Sequence, residues 1–274
     1  MQCFDDFATM TPPAAGSSLT IGNFDGVHRG HRALLARTRA AATAQGLAVG
    51  VLTFRPHPVQ VLAPDLAPPL VCSHADKRAL LASLGVDLLL EQRFDRAFAA
   101  LTPEVFARRV LRDALAARHV VVGYDFTFGA RRAGTTDVLT TLGAELGFGV
   151  EVVTAQAVGD GLVASSTRAR AFLMEGKVEG AALVLGRPHH VNGTVVRGHQ
   201  RGRTLGFPTA NVRHADGLLP RRGVYAGWLD WGAGARPAVA NLGFNPTFGD
   251  GPGAQTVEAH VIDAPDLDLY GKSV

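Results

Sequence analysis

Two histidines three residues apart, His28 and His31, flank Gly30 in the stretch Ile21-Gly22-Asn23-Phe24-Asp25-Gly26-Val27-His28-Arg29-Gly30-His31. Imidazoles can donate to an anion, ligate a metal or simply sit on a surface. Their neighbours weigh between these roles. Ser18–Ile21 reads as a short strand, and Arg32–Ala44 reads as a helix stopped by Gly46, so the stretch is a strand-to-helix turn. The first N–H groups of a helix have no partner within it, and an anion fits there. Gly30 leaves room for that anion, and the two imidazoles can add donors to it. The arrangement suits a triphosphate and the charge that builds up during nucleotidyl transfer. Metal ligation by the histidine pair stays open, although no third ligand is obvious nearby.

Four further groups of residues could do chemistry. Arg55-Pro56-His57-Pro58 makes a stiff loop after an apolar run, with a solvent-facing histidine in a rigid connection as the plain alternative. Gly123-Tyr124-Asp125-Phe126-Thr127-Phe128-Gly129 sets two aromatics between glycines, where they could wall a flat ring or simply join the core. Ser165-Ser166-Thr167-Arg168 precedes a helix with capping oxygens and a guanidinium suited to phosphate, or is an ordinary capped helix with a surface arginine. Between Gly186 and Arg222 stand seven basic residues (Arg187, Arg197, Arg201, Arg203, Arg213, Arg221 and Arg222) and one acid, Asp216. That excess, among glycines, suits phosphate. Thr209 and Asn211 follow it with hard oxygens of the kind Mg²⁺ takes, although two neutral ligands alone are weak. A basic, flexible loop is the alternative there.

The elements that must position these groups change character along the chain. Leu47–Phe54, Val86–Leu90, His119–Gly123 and Val150–Val153 read as strands. Helices alternate with them, opening at Ser73 and at Thr102-Pro103 and running over Thr136–Gly147. Alternation of this kind predicts an α/β, doubly wound parallel sheet over residues 1–185, Rossmann-like, with ligands at the carboxyl ends of its strands. From Gly186 helical periodicity vanishes. Short strands at Val191–Val196, Val224–Trp231, Ala238–Leu242 and Val257–Ile262, separated by Gly, Pro, Asn and Asp, predict a small β-barrel over residues 186–274. The boundary is placed in Leu185–Pro188.

Composition narrows the field. Hydrophobic residues make up 47% of 274, enough for a real core, and 27 basic against 24 acidic residues leave a net +3, weak for a nucleic-acid partner. Cys3 and Cys72 form no disulfide framework, which favours a reducing, cytoplasmic setting. No run of apolar residues suggests a membrane span, no basic start with an apolar run suggests a leader, and self-association is left open.

Gly22-x-Phe24-Asp25-Gly26-Val27-His28-x-Gly30-His31 resembles the nucleotide-binding signature of the prokaryotic bifunctional riboflavin kinase/FMN adenylyltransferase (FAD synthetase) family. Phe54-x-Pro56-His57-Pro58, Gly123-x-Asp125-Phe126-x-Phe128-Gly129 and Ser165-Ser166-Thr167-Arg168-x-Arg170 resemble its later motifs, in order. Gly202-Arg203-x-Leu205-Gly206-Phe207-Pro208-Thr209-Ala210-Asn211 resembles its riboflavin kinase module, as do Gly223-Val224-Tyr225-Ala226 and Val257-Glu258-x-His260. The resemblance implies adenylyl transfer from ATP to FMN, giving FAD and pyrophosphate, and phosphorylation of riboflavin to FMN by the second module, both with Mg²⁺. It implies catalytic roles for His28, His31 and Arg168, and ATP contacts at Gly22, Phe24, Gly30, Asp125, Ser165, Ser166, Thr167, Arg203 and Gly206. Pro56, His57, Pro58 and Phe128 would meet the flavin, with Phe126 left to the core, and Thr209 and Asn211 would hold the metal. Arg55 stands where the family often has an acid.

The resemblance also implies a shortened β module. Family members run on beyond the position of Val274 through a strand expected to carry the general-base glutamate, so weak or absent kinase activity and an exposed sheet edge are expected. Rival readings are an adenylyltransferase with an inactive kinase-like module, a different nucleotidyltransferase, or a non-catalytic flavin-, nucleotide- or RNA-binding protein.

Overall fold

A computed structural model describes residues 1–159, 161–197, 208–214, 216–244, 255–264 and 267–274. Residues 1–68 and 74–166 form one compact unit, and 69–73 with 167–274 a second.

The first unit is built on six strands: β1 (Gln2–Phe4), β2 (Ser17–Ile21), β3 (Ala48–Arg55), β4 (Leu88–Arg93), β5 (Ala117–Gly123) and β6 (Gly149–Val153). They lie in the order β1-β4-β3-β2-β5-β6, and every pairing is parallel. A short hairpin, β7 (Ala157–Val158) with β8 (Leu162–Val163), follows. Successive strand residues point to opposite faces of a sheet, so both faces must be covered. Leu52, Leu88, Leu90, Val120 and Val122 enter one apolar cluster, while Val51 and Leu89 enter another with Phe24, Val27 and Leu35. The chain works outward from β2 through β3 to β4, then returns to place β5 on the other side of β2. The order therefore reverses between β2 and β5. Crevices at such reversals are where open sheets bind ligands. The histidine turn leaves β2, and the Asp125 turn leaves β5.

The expected helices are present over Arg29–Gln45, His74–Ser83 and Thr136–Leu146. Gly46 and Gly147 end two of them in the left-handed conformation, at φ 67° and 82°. Thr102 caps Pro103–Val105, which continues as a π-helix over Phe106–Ala114. The first of these helices starts three residues earlier than its apolar pattern indicates, because His28 serves as its cap.

The second unit holds β9 (Gly193–Val196), β10 (Ala210–His214), β11 (Gly223–Leu229), β12 (Arg236–Phe244) and β13 (Gln255–Val261). They form one antiparallel sheet in the order β11-β12-β13-β10-β9, over a core of Val195, Val212, Leu219, Leu242, Val257 and Leu269. The outer edge of β9 is not bare. Val274 N–H donates to the Gly193 carbonyl at 2.9 Å, and Gly271 N–H to that of Val195 at 2.9 Å. The helices Ser166–Glu175 and Val178–Leu185 precede this sheet. Arg221 N–H donates to the Leu173 carbonyl at 2.8 Å, and the second compact unit takes in both helices, beginning at Thr167 ahead of the change of texture near Leu185.

Candidate active site

The turn after β2 is held by its apolar residues. Phe24 and Val27 both take left-handed backbone, at φ 50° and 42°, with Gly26 at 77° between them. For a β-branched residue such as Val27 this is costly, about 1–3 kcal/mol. Both side chains are fully buried, beside Leu35, Val51 and Leu89. Burying a Phe and a Val contributes about 1.5–3 kcal/mol each, enough to offset the strain. Asp25 and His28 are buried on the same turn.

His28 Nδ1 accepts the backbone N–H of His31 at 3.4 Å. The first turn of the helix is thus partly satisfied by its own N-cap, a correction to the open N-terminus expected from sequence. An accepting Nδ1 carries no proton, so the neutral ring carries it on Nε2. The two imidazoles stack at 3.6 Å, and His31 lies 4.6 Å from the Phe24 ring. His31 Nδ1 is shut from solvent without a hydrogen bond. Burial, then the charges of His28 and Lys77, hold His31 well below the usual histidine range, so it is neutral near pH 7. Gly30 is required by space. A Cβ there would meet His28 Cε1 at 3.0 Å and the Ala164 carbonyl at 3.2 Å.

The turn at Ser165 and Ser166 meets the histidine turn. Ser166 Oγ donates to the Asp25 carbonyl at 2.8 Å across 141 residues of sequence. Ser165 and Ser166 are half-buried, while Thr167 and Arg168 are exposed in the first turn of the helix that Ser166 begins. Arg170 Nε donates to the Pro69 carbonyl at 2.8 Å, which gives that arginine a tethering contact.

Two other loops stand at strand ends. After β3, His57 caps the short helix Pro58–Leu62: its Nδ1 accepts from Val59 N–H at 3.3 Å, and its own N–H donates to Gln60 at 3.0 Å. Pro56 is exposed; His57 and Pro58 are half-buried. After β5, Asp125 is exposed. The two phenylalanines reverse the burial expected of them. Phe128 is the core residue, packed 5.4 Å from Phe106, and Phe126 is the more open one, stacked on Phe128 at 5.6 Å. The cause is local. Phe128 exchanges backbone hydrogen bonds with Gly134, and the missing Cβ of Gly134 leaves the space its ring fills.

Arg203 and Gly206 lie outside the described residues. Thr209 directly precedes β10, and Asn211 lies in it. Asn211 pairs directly with Glu258 of β13, and Glu258 with Asn241 of β12. Directly paired residues share a face. A carboxylate and two amides therefore form one rung, an oxygen-rich set of the kind Mg²⁺ takes. Sequence reading gave Glu258 no site role; only the strand register brings it to Asn211. It also missed Lys77, a buried lysine near the histidine turn. An acid of the same cluster, Glu91, is held below the usual carboxylate range: burial alone would raise it, but His74, Arg78 and Lys77 outweigh that.

Comparisons with known proteins agree along the chain. A family model described as FAD synthetase matches residues 11–168, and one described as riboflavin kinase matches 185–274. Proteins named bifunctional riboflavin kinase/FMN adenylyltransferase are 42% identical in Escherichia coli K12 and 39% in Pseudomonas fluorescens. These matches cover 96% and 99% of this chain, and 83% and 86% of those proteins. A crystal structure from Streptococcus pneumoniae, named as a macrolide-efflux protein, is 30% identical with a TM-score of 0.87, over 99% of this chain and 87% of that one. The efflux name is that protein's own. Among the described residues here, no helix is long and apolar enough to cross a membrane.

Proposed function

Because this chain belongs to the bifunctional riboflavin kinase/FMN adenylyltransferase family, we propose that the Gly22–His31 turn is where FMN is adenylylated. Both family activities belong to the chain, and the reading with an inactive kinase-like module is not favoured.

An FMN phosphate oxygen attacks the α-phosphorus of ATP in line. The new O–Pα bond forms as the bond to the bridging oxygen breaks, and that oxygen leaves with pyrophosphate. The nucleophile is already an anion, so positioning and charge stabilisation are the protein's whole task. His28 Nε2–H and His31 would donate to the triphosphate, beside the N–H groups of the helix start. Arg168 would hold the departing pyrophosphate, with Ser165, Ser166 and Thr167 closing the phosphate cradle. Gly22, Phe24, Gly30 and Asp125 would complete the ATP contacts. Pro56, His57 and Pro58 would meet the flavin ring, with Phe128 as the floor beneath Phe126.

For riboflavin phosphorylation, Thr209 and Asn211 would hold Mg²⁺ with ATP, and the metal would screen phosphate charge. Arg203 and Gly206 would contact the same nucleotide. Glu258 is the carboxylate on hand to take the riboflavin hydroxyl proton. The functional boundary is proposed at residues 185/186, with the second sheet closing into a barrel. Partners are small molecules, without nucleic acid or membrane; the setting is cytoplasmic, and self-association is left to measurement.

The observation that carries the adenylylation reading is the strained, apolar-anchored turn that sets both histidines at a helix start beside the switch point. It is tested by incubating the protein with ATP and Mg²⁺, once with FMN and once with riboflavin, and separating the flavins. FAD from FMN is expected, and its absence from well-folded protein overturns the reading. Glu258→Gln is expected to lower riboflavin phosphorylation by about 10²–10⁴-fold while FMN adenylylation persists; an unchanged phosphorylation rate removes Glu258 from that role.

A further inference from the structure

Lys77 is almost wholly buried. Its Nζ lies 3.2 Å from Thr53 Oγ1 and 3.4 Å from the Asn23 carbonyl oxygen, whereas Glu91 Oε1 is 4.0 Å away. Thr53 Oγ1 in turn donates to the same Asn23 carbonyl at 3.0 Å. Glu91 is spoken for from the other side: Arg78 grips its Oε2, and His74 Nδ1 stands 3.8 Å from its Oε1. A lysine retained only to neutralise Glu91 would close on Glu91. This one reaches past it to the turn.

The consequence follows from peptide geometry. In a trans peptide the C=O and the next N–H point opposite ways. Two donors on the Asn23 oxygen draw that carbonyl toward Thr53 and Lys77, and so aim the Phe24 N–H away from them. Phe24 is the first of the left-handed residues in the turn that carries His28 and His31, so rotation of this one peptide would re-aim everything after it.

We propose that Lys77 is a positioning residue for adenylyl transfer, acting with Thr53 through the Asn23 carbonyl to fix the turn that holds His28 and His31. The proposal rests on the assignment of FMN adenylylation to that turn. Lys77 is too enclosed to be a phosphate ligand itself, and its effect is on alignment, so it belongs in kcat rather than in the KM for ATP.

The test compares Lys77→Met, Thr53→Val, the double variant and His28→Ala in the full chain. FMN adenylylation is followed for kcat and for KM(ATP), with far-UV circular dichroism as the check on folding. Misplacement of a reacting group by about 1 Å costs about 100-fold. Lys77→Met is expected to lower kcat by about that factor, with KM(ATP) within about threefold, and Thr53→Val by about 10-fold. The double variant should lose little more than Lys77→Met alone, because both side chains act on one carbonyl. Lys77→Gln, which keeps a donor without the charge, should recover part of the rate. A folded Lys77→Met within twofold of the parent kcat overturns the proposal, and so do losses that multiply independently in the double variant. Should Lys77→Met not fold, Thr53→Val decides: an unchanged kcat overturns the proposal. Full activity in His28→Ala would instead sink the assignment of the turn, while loss there with Lys77→Met and Thr53→Val unaffected sinks only the role of Lys77.

Discussion

The strands of the two sheets are covered in different ways. All of β2, and most of β3 and β4, is buried, whereas β11 alternates between half-buried and exposed residues along its whole length. The first pattern belongs to a parallel sheet covered on both faces, the second to an antiparallel sheet with one face open. Charge follows the same division. Among the described residues, the buried charged side chains Asp25, Asp76, Lys77 and Glu91 all lie in the parallel-sheet unit. An ionised group with no access to water must be matched where it stands. In this unit one of these groups, Lys77, also holds the histidine turn, so stability and the proposed chemistry share a residue. In the antiparallel unit the polar rung lies on the face opposite the core, where substitution has less to disturb.

Removing an apolar anchor should separate the two units most sharply. Phe24→Ala is expected to cost the parallel-sheet unit about 3–5 kcal/mol, read as lost amide-exchange protection over β2–β4. Both tryptophans, Trp228 and Trp231, lie in the other unit, so their fluorescence reports on that unit. A Phe24→Ala protein with unchanged protection in β2–β4 would show that the turn does not depend on its anchor. Next in size, His28→Ala is expected to lower adenylylation by about 10²–10³-fold, with riboflavin phosphorylation within twofold of the parent. His28→Asn keeps a cap for the helix, so it should restore thermal stability without restoring the rate; recovery of both would reduce His28 to a cap.

Acid should act on the two units in sequence. Burial lowers His189 of the antiparallel unit from 6.5 to about 4. Between those values the unfolded chain binds the proton and the folded one does not, so stability falls as pH drops below 6.5 and stops falling near 4. At pH 5 the loss is about 2 kcal/mol relative to pH 7. Urea titration by tryptophan fluorescence at the two pH values measures it, and His189→Gln should flatten the difference. Glu91 of the parallel-sheet unit is lowered from 4.5. Its contribution is therefore complete above pH 4.5 and is lost only as pH falls through its folded value. If β2–β4 protection declines before the fluorescence midpoint does, this ordering is wrong. The smallest effect is expected at the open face of β11, where Val224 is 70% exposed. Val224→Thr should shift stability by less than about 0.5 kcal/mol, checked by thermal melting.

Features encoded by neighbours in sequence were legible in sequence, and features created by pairing were not. Leu47–Phe54 and Val150–Val153 declare themselves as strands by apolar runs, and Gly46 and Gly147 mark helix ends by the conformation they permit. Three-residue β1 has too little length to show a period and exists through its parallel partner β4. The Val178–Leu185 helix is short and apolar, without a side-chain cap to announce it. In the site, the turn, its two histidines and the later serine pair were found as motifs. Lys77 was missed because the groups by which it reaches the turn are 24 and 54 residues away. No spacing in the sequence sets Glu258 beside Asn211; strand register alone does so. The reversal at Phe126 and Phe128 turns on Gly134, a residue that no motif includes.

The pairing of β9 with the stretch Gly271–Val274 has a consequence for biosynthesis. One edge of β9 is complete only after about 75 further residues have been polymerised, a delay of about 4–15 s at ribosomal rates. During that interval each nascent chain carries a bare strand, and neighbouring ribosomes on one messenger carry the same strand close by. Such an edge is a template for pairing between chains. Slowing translation between codons 197 and 270 should therefore raise the share of newly made protein that requires chaperones, without any change in the finished molecule.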